Sequence, residues 1–523
     1  MSRTRLWCAL AVALVSVLAA CSAAGPPAAE GPRTASSTRE DVVRFVTPFV
    51  VRSLDPIQQG FWSPEWGYGE MLMRATEEGQ VEPWLLERLT PESPTSWKLV
   101  LRPNVTFANG RKLDARTLKA VFDRHIAANP LVEERIPGVE VKVLDGGTLR
   151  LTTAEPVADL PNLLADEQMI SVFDVEAVAR AGQDVQELVG QGIYTGPFDV
   201  TKLSAEEMVL ERNEDYWGGE VVLAGARVRF VPDGQARVLA VRGGEADVAL
   251  YPPTELLGPL RTAKAGPRMA LARQPLQQLR AFLNLHKLPM RDRAVRQAIA
   301  AGIDYQAIAE EVLDGIYSTP TGLFPESMSF AQPTQQTNTA RARDLLEDAG
   351  WRVGTDGVRS KGGVPLAIRL LTYPQQPDTR TIAVAMESQL RPLGFDVDIS
   401  EVPNNYEAME DRRAWDVGLS FDGTLGYTYD PVAPLHDFLT THGSRNFGGV
   451  ADPDLDALVA RLSATTGSAE RSSLLADVQR IIADQCYTVI VAQRSSPAVV
   501  SATYGSYRPS SVLHHLTATT RSG

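Results

Sequence analysis

An α/β body is the fold class the sequence predicts, and three observations predict it. Strand-type and helix-type segments alternate along nearly the whole length. The composition is ordinary for a globular protein, 44% hydrophobic and 22% charged. That excludes a mainly disordered, collagenous or polytopic membrane chain. The chain has 523 residues, enough for two or three lobes at roughly 100–200 residues each. No internal repeat is found.

Residues 1–20 stand apart from the fold. Arg3 and Arg5 open a segment whose residues 6–20 are apolar or small. The run is shorter than the ~20 residues a spanning helix needs, so it reads as a signal-peptide core. It ends in Leu18-Ala19-Ala20-Cys21, which resembles a bacterial lipobox, where the Cys21 thiol takes a diacylglycerol and the peptide is cut before it. An ordinary signal peptide or an uncut anchor is the other reading. Residues 21–40, the lipidated Cys21 and a Gly, Pro, Ala and Ser stretch after it, form a flexible tether. Cys486, in an apolar stretch, is then the remaining thiol apart from Cys8 and is expected buried and inert. Three cysteines build neither a disulfide framework nor a four-Cys zinc site.

The elements that follow have local causes. Residues 96–102 alternate Trp97, Leu99 and Leu101 on one face of a strand. Asp114 caps a helix with the stripe Leu118, Val121, Phe122 and Ile126. Val139, Val141 and Val143 alternate before Asp145-Gly146-Gly147 turns the chain into Leu149 and Leu151, a hairpin. Asp292 caps a helix with Val295 and Ile299 inward. Residues 339–349 form a helix stopped by Gly350. Residues 379–392 form another, followed by Gly394 and a strand over 395–402. Residues 454–483 read as two helices split near Gly467, and residues 486–492 as a last buried strand.

Charge and motifs narrow the function. The net charge of −13 disfavours nucleic-acid binding. No nucleophile elbow, zinc-protease pair or P-loop occurs. Gly190-Gln191-Gly192 with Gly196 is misspaced for a dinucleotide fingerprint and reads as a loop. The six histidines include no i, i+4 pair. Catalysis has no residue-level case.

Four blocks resemble one family, the extracytoplasmic solute-binding proteins of ATP-driven importers, family 5, the peptide/nickel group. The first is Trp84-Leu85-Leu86-Glu87-Arg88, then Trp97-Lys98-Leu99-Val100-Leu101-Arg102-Pro103-Asn104-Val105-Thr106-Phe107-Ala108-Asn109-Gly110, then Leu113-Asp114-Ala115. It is expected to be scaffold, away from ligand. The second is Gly192-Ile193-Tyr194-Thr195-Gly196-Pro197-Phe198 with Arg212-Asn213-Glu214-Asp215-Tyr216-Trp217. The third is Gly244-Glu245-Ala246-Asp247. The fourth joins Asn284 and Asp292-Arg293-Ala294-Val295-Arg296-Gln297-Ala298-Ile299 to residues 342–351.

The resemblance implies a two-lobed, periplasmic-binding-protein-like α/β fold with a hinge and a ligand cleft between lobes. Lobe I is expected over 41–280, lobe II over 281–499, and a C-terminal return to lobe I over 500–523. It implies no enzyme and no cofactor, with nickel only as cargo in a chelate. The partners implied are an ABC permease, its ATPase, a small-molecule ligand and the membrane through the lipid anchor, for an extracytoplasmic monomer.

For ligand contacts the resemblance points to residues 423–431. The acidic residue that clamps a peptide ammonium in peptide-binding members falls at Tyr427, and a phenol does not replace it. Tyr429 precedes Asp430-Pro431 as a Tyr does in the nickel branch. That branch also has a metal-ligating His about a dozen residues on, which points to His442. Where it carries an Arg for the chelate's carboxylates, this chain has Glu167 or Gln168, so the contact passes to Arg445. Trp62 and Trp66 are aromatic candidates for the cleft. Loop packing for the tyrosines, solvent for His442 and core packing for the tryptophans are the competing readings. A di- or oligopeptide binder is the first functional alternative. A lipid-anchored hydrolase or a sensory lipoprotein is the alternative of another class.

Overall fold

The computed structural model describes residues 42–58, 62–182, 185–422, 425, 428–465 and 468–523. The signal segment 1–20, the tether 21–40 with Cys21, and Tyr427 lie outside the described residues. Arg39–Gly523 form one compact unit.

Two sheets organise that unit. The first has seven strands, in the order Arg268–Leu271, Pro497–Val500, Val248–Leu250, Val42–Thr47, Gly225–Phe230, Glu207–Arg212 and Phe198–Leu203. Val42–Thr47 sits at its centre, parallel to both neighbours. The second has five strands, in the order Asp396–Glu401, Ala367–Thr372, Val417–Asp422, Gln277–Leu283 and Thr488–Arg494. Gln277–Leu283 and Thr488–Arg494 are buried at every residue. The chain enters the second sheet between Leu271 and Gln277 and leaves it between Arg494 and Pro497. These two short crossings join the bodies built on the two sheets. A four-stranded antiparallel sheet, Leu86–Ser93, Ser96–Leu101, Thr148–Thr152 and Glu140–Val143, adds to the core of the first body.

The expected local causes operate. Trp97, Leu99 and Leu101 face the core from Ser96–Leu101. Asp114 accepts the Thr117 N–H at 2.8 Å and caps Ala115–Ala128. Asp292 accepts the Ala294 N–H at 3.0 Å and caps Arg293–Gly302. Each supplies an acceptor for an N–H the first turn leaves open. The predicted double helix is Pro453–Ala464 and Ser468–Gln485. The last buried strand starts two residues later than predicted, because Cys486 has φ +49, outside the strand region. The Cys486 thiol is buried, and burial pushes its pKa up to about 12. That matches an inert thiol.

The tail after Val500 packs on the first body. His515 and Leu516 N–H both donate to the Glu65 carbonyl, at 2.9 and 3.1 Å. Gly67 is required there. Its φ is +66, and a Cβ would lie 2.6 Å from the Leu516 carbonyl oxygen.

Candidate functional site

A cavity of about 120 Å³ lies between the two bodies. Its first wall begins with a short helix, Pro130–Arg135, capped by Asn129, whose side chain accepts the Leu131 N–H at 3.2 Å. The Asn129 amide also donates to the carbonyls of Gln168, at 2.7 Å, and Met169, at 3.2 Å. One side chain thus fixes the helix that ends in Arg135 against the turn that carries Asp166, Glu167 and Gln168. Asp166 closes that turn by accepting the Gln168 N–H at 2.9 Å.

The opposite wall comes from the second body. Strand Val417–Asp422 delivers Asp422, helix Val432–Leu439 delivers Pro434, Asp437 and Phe438, and the loop after it delivers Arg445. Val512, Leu513 and His514, from the tail that returns to the first body, complete the lining.

Polar contacts join the walls. Arg445 Nη2 donates to Gln168 Oε1 at 2.5 Å. Arg135 Nη2 pairs with Asp437, both side chains under 10% exposed. Ser444 N–H donates to Glu134 Oε1 at 3.2 Å, and His436 Nδ1 lies 3.3 Å from the same oxygen. Asn162 Nδ2 donates to the Thr428 carbonyl at 2.8 Å. Within the second wall, the Arg445 guanidinium lies 5.7 Å from the centre of the Tyr406 ring, whose hydroxyl bonds Asp422. The structure therefore holds the two bodies closed on the cavity.

The cavity's electrostatics are uneven. Asp166, Glu167, Asp422 and Asp437 face Arg135 and Arg445. Burial, with the Glu65 and Asp166 charges added, holds the Glu167 carboxyl well above the usual carboxylate range. Burial lowers the His514 imidazole to about 4, so it is neutral at pH 7. Among the described residues one trio comes within metal-binding reach, Glu134, His436 and Asp437, with ligand atoms within 4.8 Å of one another. Asp437 is already committed to Arg135 and Glu134 to Ser444.

Residues 80–446, more than half of the chain, match the family described as bacterial extracellular solute-binding proteins, family 5 Middle. The chain belongs to that family. The nickel-binding periplasmic protein of Escherichia coli is 28% identical over 437 residues, covering 80% of this chain and 82% of that one. The oligopeptide-binding protein OppA of Mycobacterium tuberculosis is 25% identical over 440 residues, covering 80% and 72%. The crystal structure of NikA from Staphylococcus aureus, in complex with Ni(L-His)2, superposes with a TM-score of 0.81 at 20% identity, covering 92% of this chain and all of that one. These neighbours share the two-lobed α/β fold that the sequence predicts.

Within this solute-binding fold the predicted site residues separate. Arg445 stands on the cavity wall. The scaffold block 84–115 contributes nothing to that wall. His442 is exposed and outside the lining; the imidazole of the wall is His514. His442 and Arg445 share one loop, but only Arg445 lines the cavity. Trp66 is 1% exposed and packs edge-on against Phe45, at 5.4 Å, in the core. Trp62 stacks on Phe49, at 6.0 Å, beside the same core and off the wall. Tyr429, at φ +61, packs its ring against Gly79 and does not line the cavity. Arg135, Asp166, Glu167, Asp422, Asp437 and His514 were not chosen from the sequence as ligand contacts. They come from three distant regions of the chain, 135–167, 422–437 and 514, and nothing local distinguishes them from surface charges.

Proposed function

We propose that this family 5 protein captures a small solute, a nickel or other metal chelate or a short peptide, between its two lobes and delivers it to an ABC permease driven by a separate ATPase. It performs no reaction itself. The observation that carries the reading is the closed cavity, whose charged walls come from both bodies and meet through Arg445–Gln168 and Arg135–Asp437. A site assembled only when two bodies close couples occupancy to shape, which a permease reads. The relatives named for nickel and for oligopeptides support both ligand classes. We place lobe I at 41–280, lobe II at 281–499 and the return to lobe I at 500–523, in keeping with the crossings near Gln277 and Pro497. Cys21 anchors the monomer outside the cytoplasm. Among the described residues no helix is long and apolar enough to cross a membrane.

Calorimetric titration of protein starting at Ser22 tests the reading, first with nickel plus excess free histidine, then with di- to pentapeptides. Saturable one-to-one heat that Arg445→Ala removes supports capture in this cavity. Absence of heat with every probe overturns it. For the anchor, retention of Cys21→Ala in the membrane fraction would count against lipidation.

A further inference from the structure

One side chain is shared by two hollows. His514 lines the cavity between the bodies. It also lines a second hollow of about 430 Å³, whose other walls include Glu77, Arg273, Tyr507 and Thr520. Among the described residues no other side chain belongs to both linings. The imidazole therefore stands as the partition between the two spaces.

The partition sits on a strap pinned on both sides. Before it, the Ser510 hydroxyl and the Ser511 N–H donate to Glu77 Oε1, at 2.7 and 2.9 Å. After it, the His515 and Leu516 N–H groups hold the Glu65 carbonyl. Between the pins, Leu513 has φ +63, a left-handed turn that a residue with a Cβ adopts only where its surroundings impose it. The backbone is thus fixed, and the ring on it is not. The His514 imidazole rests on the Trp84 ring, centre to centre 5.3 Å, and among the described residues no hydrogen bond ties it. Burial keeps it neutral at pH 7, so no ion pair holds it either.

Volume says what the partition does. The cavity, at about 120 Å³, is close to the ~150 Å³ that holds one benzene-sized molecule. It falls short of the ~300–1,000 Å³ of ordinary small-molecule sites. Joined to the second hollow, it would reach that range.

We infer that His514 is the size-limiting residue of the site: the closed protein takes a solute of about single-amino-acid size, and the imidazole shuts longer solutes out of the second hollow. The inference rests on the capture reading and adds a size class to it. Rejection by a group standing in the way needs no contact with the accepted solute.

The test is a length series by calorimetry on the protein starting at Ser22. The probes are the twenty amino acids, pools of di-, tri- and pentapeptides, and nickel plus excess histidine. Wild type is compared with His514→Ala, which opens the partition, and His514→Phe, which keeps a ring on Trp84. Ligand-free melting temperatures report the fold of each. Wild type and His514→Phe should bind the smallest probes and lose affinity with each added residue. His514→Ala should gain at least about tenfold for the longest peptides it binds, the lower end of what one misfitting group costs in a pocket. Wild type binding pentapeptides as tightly as its smallest ligand, or one length profile for wild type and His514→Ala, overturns the size limit and leaves capture intact. Should His514→Ala not fold, the wild-type length series alone still decides. Failure of every probe with all three proteins removes both readings.

Discussion

At the scale of single residues the molecule holds ionisable groups where water cannot reach them. Glu65 is 1% exposed, neither carboxylate oxygen has a hydrogen-bond partner, and His515 Nε2 lies 3.8 Å away, too far to donate. Burial raises the Glu65 carboxyl to about 8. A raised carboxyl gives stability that is complete below its unfolded value near 4.5 and is lost as pH rises through 8. Glu65→Gln has no charge to desolvate at any pH. Its stability relative to wild type should be near level at pH 5 and rise by a few kcal/mol by pH 8, at about 1.4 kcal/mol per unit. Urea unfolding at both pH values measures this, and a difference that does not grow with pH would exclude a buried neutral Glu65. His515, lowered by burial to about 3, has the opposite sign and loses its contribution on the acid side.

At the scale of elements, caps and periodicity explain what forms where. The Asp114 cap and its helix were readable because a capping side chain acts on the residue three positions on, and that spacing is written in the chain. Asp114→Ala should cost about 1 kcal/mol of stability and leave ligand affinity unchanged, since block 84–115 does not touch the cavity. Denaturant midpoints and calorimetry separate the two readouts. A tenfold loss of affinity would show that this scaffold reaches the ligand. The loop carrying Arg445 was less legible. The Arg445 N–H donates to the Asp437 carbonyl at 3.0 Å, a contact between residues eight apart that spacing alone does not give, and Arg445 lines the cavity while His442 is exposed.

At the scale of the whole molecule, closure rests on contacts between bodies. One of them is acidic on both sides. Asp159, beside the first-body helix Leu160–Leu163, and Asp430, before Val432–Leu439, are both buried and within hydrogen-bond reach. Burial and the Asp430 charge push the Asp159 carboxyl well above its usual range, against the opposing Arg471, which pairs with Asp430 at 3.4 Å. Opening rehydrates the pair and returns Asp159 toward its ordinary value. Closure is therefore favoured at low pH and weakened as pH rises through the raised value. X-ray scattering of ligand-free protein should show the radius of gyration growing from pH 5 to pH 9. Asp159→Asn, whose amide donates at every pH, should flatten that curve. A wild-type radius independent of pH would mean that this pair does not govern opening.

The sequence by itself determined the α/β class, most element boundaries and the family. These follow from period-2 and period-3.6 patterns, caps, and blocks whose chemistry is local. Among the residues the resemblance pointed to, Arg445 lines the cavity. Only the tertiary structure decided which charges share the cavity. Arg135, Glu167, Asp437 and His514 come from four separate stretches of the chain. Their burial, pairing and unmet bonds arise when two sheets fold and close, and no local pattern encodes the distance between residues 135 and 437. Trp66 shows the same limit, for an aromatic near the chain start suits cleft and core equally until packing against Phe45 chooses the core.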